Sequence, residues 1–129
     1  MQKLQNFTAK IAIGGARKFD HVTPILKELE WLTGKDKYYL EKCATIYKAV
    51  KGLYPDWHLN LTTVRENTVR STRQGDSLYV HRAKTDFGAR ATNVSGPKLW
   101  NDLPPCITTC GSLYSFKSNL KKLLLKPSD

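Results

Sequence analysis

The sequence has few cysteines and no long apolar run, and both absences narrow the class of protein. Its three cysteines, Cys43, Cys106 and Cys110, form an odd and sparse set in 129 residues, which suits a reducing compartment better than a disulfide scaffold. The longest strictly apolar runs, such as residues 11–13 and 123–125, are far shorter than the roughly 20 residues that a membrane-spanning helix needs. The first residues lack the apolar core of a signal peptide. We therefore expect a protein that is located inside the cell and does not insert in a membrane.

Acidic residues are also scarce in this chain. It has 11 Asp and Glu against 21 Lys and Arg, which gives a formal net charge of +10. The excess is spread along the sequence, with ten basic and six acidic residues in 1–61 and eleven and five in 62–129. A field of this sign attracts polyanions, of which nucleic acid is the first expectation and an anionic membrane the second. A soluble protein that is merely basic is the alternative.

No group of residues in the sequence predicts a catalytic centre or a cofactor site. Phosphoryl transfer by two metals needs carboxylates that lie close together, whereas the aspartates are scattered over different predicted elements. These aspartates are Asp20, Asp36, Asp56, Asp76, Asp86 and Asp102. Gly14 and Gly15 lack both the Lys-Ser/Thr pair that follows a phosphate-binding loop and the strand that precedes it. We expect no catalytic residues and no cofactor.

Cysteine and histidine leave two further chemical possibilities open. Cys106 and Cys110 could bind zinc together with one histidine, but the residues do not form the two ligand pairs of a zinc knuckle. The available histidines are His21, His58 and His81. Cys43 and His58 could form a nucleophilic pair, yet Cys43 lies on the apolar face of a predicted helix and is interpreted as inert core. We therefore expect no bound metal.

Apolar residues at helical spacing predict a small helical bundle in the N-terminal half. The predicted helices cover residues 4–13, 24–32 and 35–51, and glycines end the first and the third. Thr23 is expected to cap the second helix, with Pro24 in its first turn. The third helix has the clearest amphipathic pattern. Its predicted apolar face consists of Leu40, Cys43, Tyr47 and Val50.

The second half of the chain predicts a less regular structure. Residues 55–61 favour a short turn or helix, and residues 62–74 lack apolar periodicity, which is typical of an exposed loop. Residues 78–81 alternate like a strand, and residues 85–94 indicate a second short strand or an irregular turn. A helix over residues 97–103 is predicted to stop at two prolines.

The last predicted element is an amphipathic helix that Ser112 caps and in which Leu113, Phe116 and Leu120 line one side. The fold class that follows is mainly α, a small helical bundle with a short, irregular β segment and a C-terminal amphipathic helix. We divide the chain into an N-terminal helical part (1–61), a basic loop (62–76), and a short β segment with the C-terminal helices (77–129). All three are expected within one domain.

Several strings in this sequence occur together in one known family. Residues 4–11 contain a compressed Leu-Gln-Asn-x-x-Ala-Lys-Ile stretch, and residues 20–24 read Asp-His-Val-Thr-Pro before a helix that ends in Trp-Leu. Residues 47–55 read Tyr-Lys-Ala-Val-Lys-Gly-Leu-Tyr-Pro. Residues 88–104 contain Gly-x-Arg-Ala and then Gly-Pro-Lys-Leu-Trp-Asn-Asp-Leu-Pro, and residues 112–121 read Ser-Leu-x-x-Phe-Lys-x-x-Leu-Lys. In this order, nearly end to end, the strings resemble the region behind the polymerase core of LINE-type (non-LTR) retrotransposon reverse transcriptases.

The resemblance implies a function for the whole protein, but no catalytic activity for this chain alone. In such elements the whole protein carries an endonuclease that nicks target DNA and a reverse transcriptase that copies the element's RNA. The polymerase motif of paired aspartates, Tyr/Phe-x-Asp-Asp, is absent from this sequence. The chain is therefore expected to be a non-catalytic C-terminal fragment of an RNA-directed DNA polymerase, in the nucleus, the cytoplasm or both. Its expected partners are RNA or DNA and, where present, the rest of the reverse transcriptase. The alternative is a structural module that packs on the missing polymerase thumb and binds no nucleic acid itself. The sequence departs from the family after Trp31 and Leu32, because Gly34 stands near a position where the family usually has proline.

Basic residues on predicted loops and short strands form the candidate nucleic-acid site. On such elements they would contact phosphates and hold a strand without reading its sequence. The candidates are Arg65, Arg70, Arg73, Arg82, Lys84 and Arg90. Trp31, Trp57 and Trp100 could stack on bases, but leucines at helical or turn spacing favour core packing for Trp31 and Trp100. For Trp57 the sequence leaves both roles open.

Overall fold

The computed structural model describes residues 2–15, 17, 19–55, 59–68 and 73–126, and of Asn67 only the backbone. Within these residues eight helices follow one another along the chain, so the predicted mainly α fold class is confirmed. The helices are α1 (Gln2–Ile13), α2 (Val22–Glu28), α3 (Gly34–Val50), α4 (Val64–Asn67), α5 (Asp86–Ala89), α6 (Thr92–Asn101), α7 (Pro105–Thr108) and α8 (Leu113–Leu125). None of these helices is both long enough and apolar enough to cross a membrane.

The first two helices pack on each other around a small apolar cluster. Ala9 of α1 is fully buried against Ile25 and Leu26 of α2. Gly14 adopts a left-handed φ of 71° directly after α1, a conformation that costs glycine little. Ile13 of α1 also packs against this cluster, whereas Leu4, Phe7 and Ile11 of the same helix remain exposed.

The boundaries of α2 differ from the predicted 24–32. Its N-cap is His21 rather than Thr23, and the cap makes no side-chain hydrogen bond to the helix. Pro24 still lies in the first turn, where its missing N–H has no helical partner to lose. The helix ends before Glu30, whose φ of 53° turns the chain left-handed. The predicted end at Leu32 was wrong. The helical spacing of leucines continues past Glu30, but the helical hydrogen bonds end before it.

Helix α3 is close to the prediction and forms the centre of the molecule. The side chain of Thr33 caps it by accepting a hydrogen bond from the Asp36 N–H at 3.3 Å. Gly52 follows it with a φ of 70°, and the Leu53 N–H donates to the Lys48 carbonyl at 2.8 Å, which together form a Schellman end. The apolar face is buried as predicted at Leu40, Cys43 and Tyr47. Val50, predicted on the same face, is 43% exposed.

The main core lies between α3 and the C-terminal helices. Phe116 and Leu120 of α8 are fully buried against α3, together with Leu103 and Ile107. The ring of Phe116 stacks on Tyr47 with 4.7 Å between centroids. The Tyr47 hydroxyl donates a hydrogen bond to the Cys110 carbonyl at 2.8 Å, so the one buried polar atom of this ring is satisfied. Residues far apart in sequence therefore share one core.

Helix α6 approaches α3 closely and begins before the predicted residue 97. Gly96 is buried against Ile46, and a Cβ at this position would lie 2.4 Å from Ile46 Cδ1. Pro97 is therefore inside the helix rather than at its start. Proline usually begins helices because it has no N–H to donate, but here it occupies buried space next to the required glycine.

The segment between α3 and α6 contains less β structure than predicted. In the described part of this segment, the only β pairing is an isolated antiparallel bridge between Thr63 and Leu78. The strand predicted at 78–81 is reduced to this bridge, beside which the Tyr79 N–H donates to the Thr62 carbonyl and the Val64 N–H donates to the Ser77 carbonyl. On the opposite edge, the side chain of Asn101 bonds the backbone of Leu78. Its amide oxygen accepts from the Leu78 N–H at 3.0 Å, and its amide nitrogen donates to the Leu78 carbonyl at 2.9 Å. The second strand or irregular turn predicted over 85–94 was wrong, since α5 and the start of α6 lie there.

Of the helices α4, α7 and α8, the sequence predicts only α8. Helix α4 interrupts the predicted loop, and Thr63 and Glu66 form a capping box at its start. Helix α7, which was not predicted, begins at Pro105 directly after the predicted stop. Helix α8 starts as predicted, with the Ser112 hydroxyl accepting from the Ser115 N–H at 3.2 Å. Of the turn or helix predicted over 55–61, residues 56–58 lie outside the described residues, and residues 55 and 59–61 belong to no helix.

Candidate nucleic-acid interface

Every described residue of the predicted basic site is exposed to solvent. Arg65 lies on α4, Arg73 lies in the turn that leads to the Leu78 bridge, and Arg90 is the C-cap of α5. Arg82 and Lys84 lie in the irregular segment that precedes α5. The described candidates thus lie on one-turn helices and on connecting segments. Arg70 lies outside the described residues.

Arg65 is partly neutralised by a neighbouring acid. Its guanidinium lies 3.3 Å from a carboxylate oxygen of Asp76, and the two side chains are 65% and 92% exposed. Ion pairs this open to water contribute little to stability and weaken as salt rises. A backbone hydrogen bond also holds the two residues close together, because the Arg65 N–H donates to the carbonyl of Gly75, the residue before Asp76, at 3.0 Å.

The backbone at Arg90 is attached to the central helix through a buried lysine. Lys42 of α3 is only 8% exposed, and its ammonium donates to the Arg90 carbonyl at 3.1 Å and to the Ser95 hydroxyl at 2.6 Å. The same ammonium lies 4.9 Å from the centre of the Tyr38 ring, a cation–π contact. A buried ammonium requires such partners. The contact fixes the backbone of Arg90 while leaving its side chain exposed.

Sequence reasoning missed both Lys42 and the nearby Phe87. Lys42 lies at the border of the apolar face of α3, where a lysine is ordinarily interpreted as a solvated residue. Phe87 is 86% exposed on α5, and its only sequence signal is that no large apolar residue lies three or four positions away from it. We define the basic arm as residues 79–90, which include Phe87, the exposed cations Arg82, Lys84 and Arg90, and one acid, Asp86.

The tryptophans divide between core and surface. Trp100 packs against the main core, with its ring 5.9 Å from Phe116 and 6.3 Å from Tyr47, in agreement with the predicted packing role. Trp31 follows α2 and is 36% exposed. Trp57 lies outside the described residues. Neither described tryptophan lies on the basic arm.

The cysteines and histidines do not assemble into a metal site in the part of the chain that the structure describes, where no three metal-ligating side chains lie together. Cys110 Sγ accepts from the Asn119 amide at 3.4 Å and contacts the Cys106 carbonyl at 3.6 Å. Cys43 is 1% exposed, and burial raises the pKa of its thiol to about 11. A thiol with this pKa is protonated at neutral pH and is a weak nucleophile.

A second surface of a different character lies on α1. Leu4, Phe7 and Ile11 are 75%, 66% and 62% exposed and follow one another on one face of the helix. Phe7 and Ile11 line an open groove of about 960 Å³ that reaches Val22 of α2. Contiguous exposed apolar side chains on a soluble protein are typical of an interaction surface. This apolar face is separate in sequence from the basic arm.

Comparison with known proteins finds no relative of this chain. It matches no family model, no curated protein and no solved structure. The resemblance to LINE-type reverse transcriptases therefore depends on the sequence strings alone. Two surfaces of the structure do not depend on those strings, namely the exposed cations of the basic arm and the apolar face of α1.

Proposed function

We propose that this chain is a non-catalytic C-terminal fragment of a LINE-type reverse transcriptase, and that it binds RNA or DNA through phosphate contacts. The observation that carries the binding proposal is the set of exposed cations Arg82, Lys84 and Arg90 within the basic arm, which is attached to α3 where Lys42 binds the Arg90 carbonyl. Phosphates are bound by cations that reach solvent from a fixed backbone. The net charge of +10 supplies the long-range attraction. Because its proposed ligands are RNA and DNA, we expect the chain inside the cell, in the nucleus, the cytoplasm or both.

The test is a titration of labelled single-stranded RNA and duplex DNA with the purified chain at two salt concentrations. The triple substitution R82A/K84A/R90A is expected to weaken binding on the order of 100-fold at about 0.1 M salt, since each phosphate that is no longer neutralised keeps its counterions. It should also reduce the slope of log affinity against log salt by roughly 0.7 to 0.9 for each of these phosphates.

The matched control removes the same charge from another surface. The triple substitution K121A/K122A/K126A takes three exposed cations from the end of α8 and is expected to reduce affinity much less. Equal losses in both variants would show that overall charge, and not the basic arm, determines binding. A folded wild-type chain that binds neither substrate would refute the proposed function.

A second prediction concerns the pair between Arg65 and Asp76. The substitution Asp76→Asn is expected to raise nucleic-acid affinity about 3- to 10-fold at low salt, because it frees the guanidinium and removes a repelling carboxylate. Fluorescence anisotropy with the same probes measures the change. Glu28→Gln removes an exposed acid from α2 and is the control. An equal rise in both variants would show that Arg65 is not part of the interface.

The apolar face of α1 favours a second candidate function, a docking module that packs on the missing polymerase thumb and binds no nucleic acid itself. Leu4, Phe7 and Ile11 would then be buried against that partner. In the isolated chain the same residues would cause self-association that persists at high salt, because apolar contacts are not screened by ions. Sedimentation at low and high salt without nucleic acid distinguishes the two candidates.

A further inference from the structure

Phe87 is the most exposed aromatic side chain of the basic arm. It lies on α5, a single turn in which the Thr85 hydroxyl accepts from the Gly88 N–H at 3.1 Å. The turn closes with the Arg90 N–H donating to the Phe87 carbonyl at 3.2 Å. Because Lys42 in turn holds the Arg90 carbonyl, the C-terminal end of this turn is bound to α3, while the Thr85 cap closes its N-terminal end locally. The ring is thus presented to solvent by an ordered backbone.

Cations lie on both sides of this ring along the chain. Arg82 and Lys84 precede Phe87 and Arg90 follows it, all of them exposed. Proteins that bind single strands combine a positively charged surface for the backbone with aromatic rings on which bases stack. A phenyl ring that is 86% exposed, with Arg82 and Lys84 before it and Arg90 after it along the chain, has this combination.

We propose that Phe87 stacks on an unpaired base, so that the basic arm selects single-stranded RNA or DNA over duplexes. This inference depends on the proposed nucleic-acid function and specifies its substrate class. In a duplex the faces of the bases are covered by their neighbours, so the ring has no base to contact, while the cations still reach the phosphates. Stacking on Phe87 therefore adds affinity for single strands only. Because every base has a flat face, the sequence of the strand matters little.

The test compares Phe87→Ala with wild type on labelled oligo(dT) of about 15 nucleotides and on a duplex of the same length. We expect the variant to bind the single strand roughly 5- to 150-fold more weakly and the duplex as tightly as wild type. The slope of log affinity against log salt should stay unchanged, because the same phosphates are neutralised in both proteins. Phe87→Trp should retain or increase single-strand affinity.

Tyr114 provides the matched control, because it is an aromatic residue that is 85% exposed on α8. Tyr114→Ala is expected to leave binding to both probes unchanged. If wild type binds with a steep salt dependence but Phe87→Ala equals wild type on oligo(dT), the stacking inference fails and the proposed function stands. If wild type binds neither probe, both fail. Circular dichroism of each variant checks that the fold is retained.

Discussion

Replacing Phe116 with alanine is expected to lower the free energy of unfolding by about 3 to 5 kcal/mol, as measured by urea denaturation. The side chain is fully buried, and its ring stacks on Tyr47 at 4.7 Å and lies 5.9 Å from Trp100. Alanine would lose the transfer free energy of the ring and leave a cavity between α3 and α8. Because the surrounding residues belong to distant parts of the chain, the cavity cannot close without moving a helix.

The control for this prediction lies on the same helix. Tyr114 is 85% exposed, and Tyr114→Ala is expected to change the free energy of unfolding by no more than about 0.5 kcal/mol. The loss expected for Phe116→Ala is a large part of the free energy of unfolding of a typical domain. Phe116→Leu, with an expected loss of about 1 to 2 kcal/mol, is a milder variant whose unfolding can still be measured. Equal stability of wild type and Phe116→Leu would contradict the tight packing of this core.

The helices that sequence predicts best are those whose local and tertiary preferences agree. Helix α3 has a capping residue at Thr33, an apolar face and a terminal glycine, and α8 has Ser112 before its apolar face. Helices α4, α5 and α7 have one turn each, which is too short for an apolar period to appear. The caps of α4 and α5, Thr63 and Thr85, could be recognised, but a cap without a following period indicates a turn equally well. Helix α7 follows Pro104 and has no side-chain cap.

The wrong β prediction has a specific tertiary cause. The alternation at residues 78–81 is the pattern of a half-buried strand, and Leu78 is indeed buried. On the edge of Leu78 that faces away from Thr63, where another strand would continue the sheet, the side chain of Asn101 bonds both polar groups of Leu78. No local pattern distinguishes an amide side chain from another strand as the partner. The start of α6 was missed because proline is typical of the first turn of a helix, whereas Pro97 lies buried inside α6.

The charges of the candidate site could be predicted from the sequence, but the contacts that hold its backbone could not. Exposed arginines follow from composition and from the lack of apolar periodicity around them. The role of Lys42 could not be predicted, because its partners Arg90 and Ser95 lie far along the chain from it. The exposure of Phe87 depends equally on how α5 sits against the rest of the molecule. Sequence thus indicates which residues could contact a polyanion, and the fold determines which of them have a fixed backbone.

Raising the pH from about 8 to about 10.5 is expected to lower the free energy of unfolding by about 2 kcal/mol through Cys43 alone. Burial raises the pKa of this thiol from 9.0 to about 11. In the unfolded chain the thiol releases its proton near pH 9, whereas in the folded protein it stays protonated until about pH 11. Above pH 9 the unfolded state therefore binds fewer protons, so stability is full below that pH and is lost progressively between 9 and 11.

Tyr39 contributes in the same direction, because burial and the neighbouring Cys43 raise the pKa of its hydroxyl from 10.0 to about 12. Urea midpoints at a series of pH values measure the combined effect. Cys43→Ala should flatten the profile between pH 9 and 11, whereas Cys106→Ala, which removes an exposed thiol, should leave it unchanged. An equally steep profile in Cys43→Ala would show that the alkaline loss comes from elsewhere. Because Cys43 lies on α3 within the main core, its ionisation would weaken the packing between α3 and the C-terminal helices.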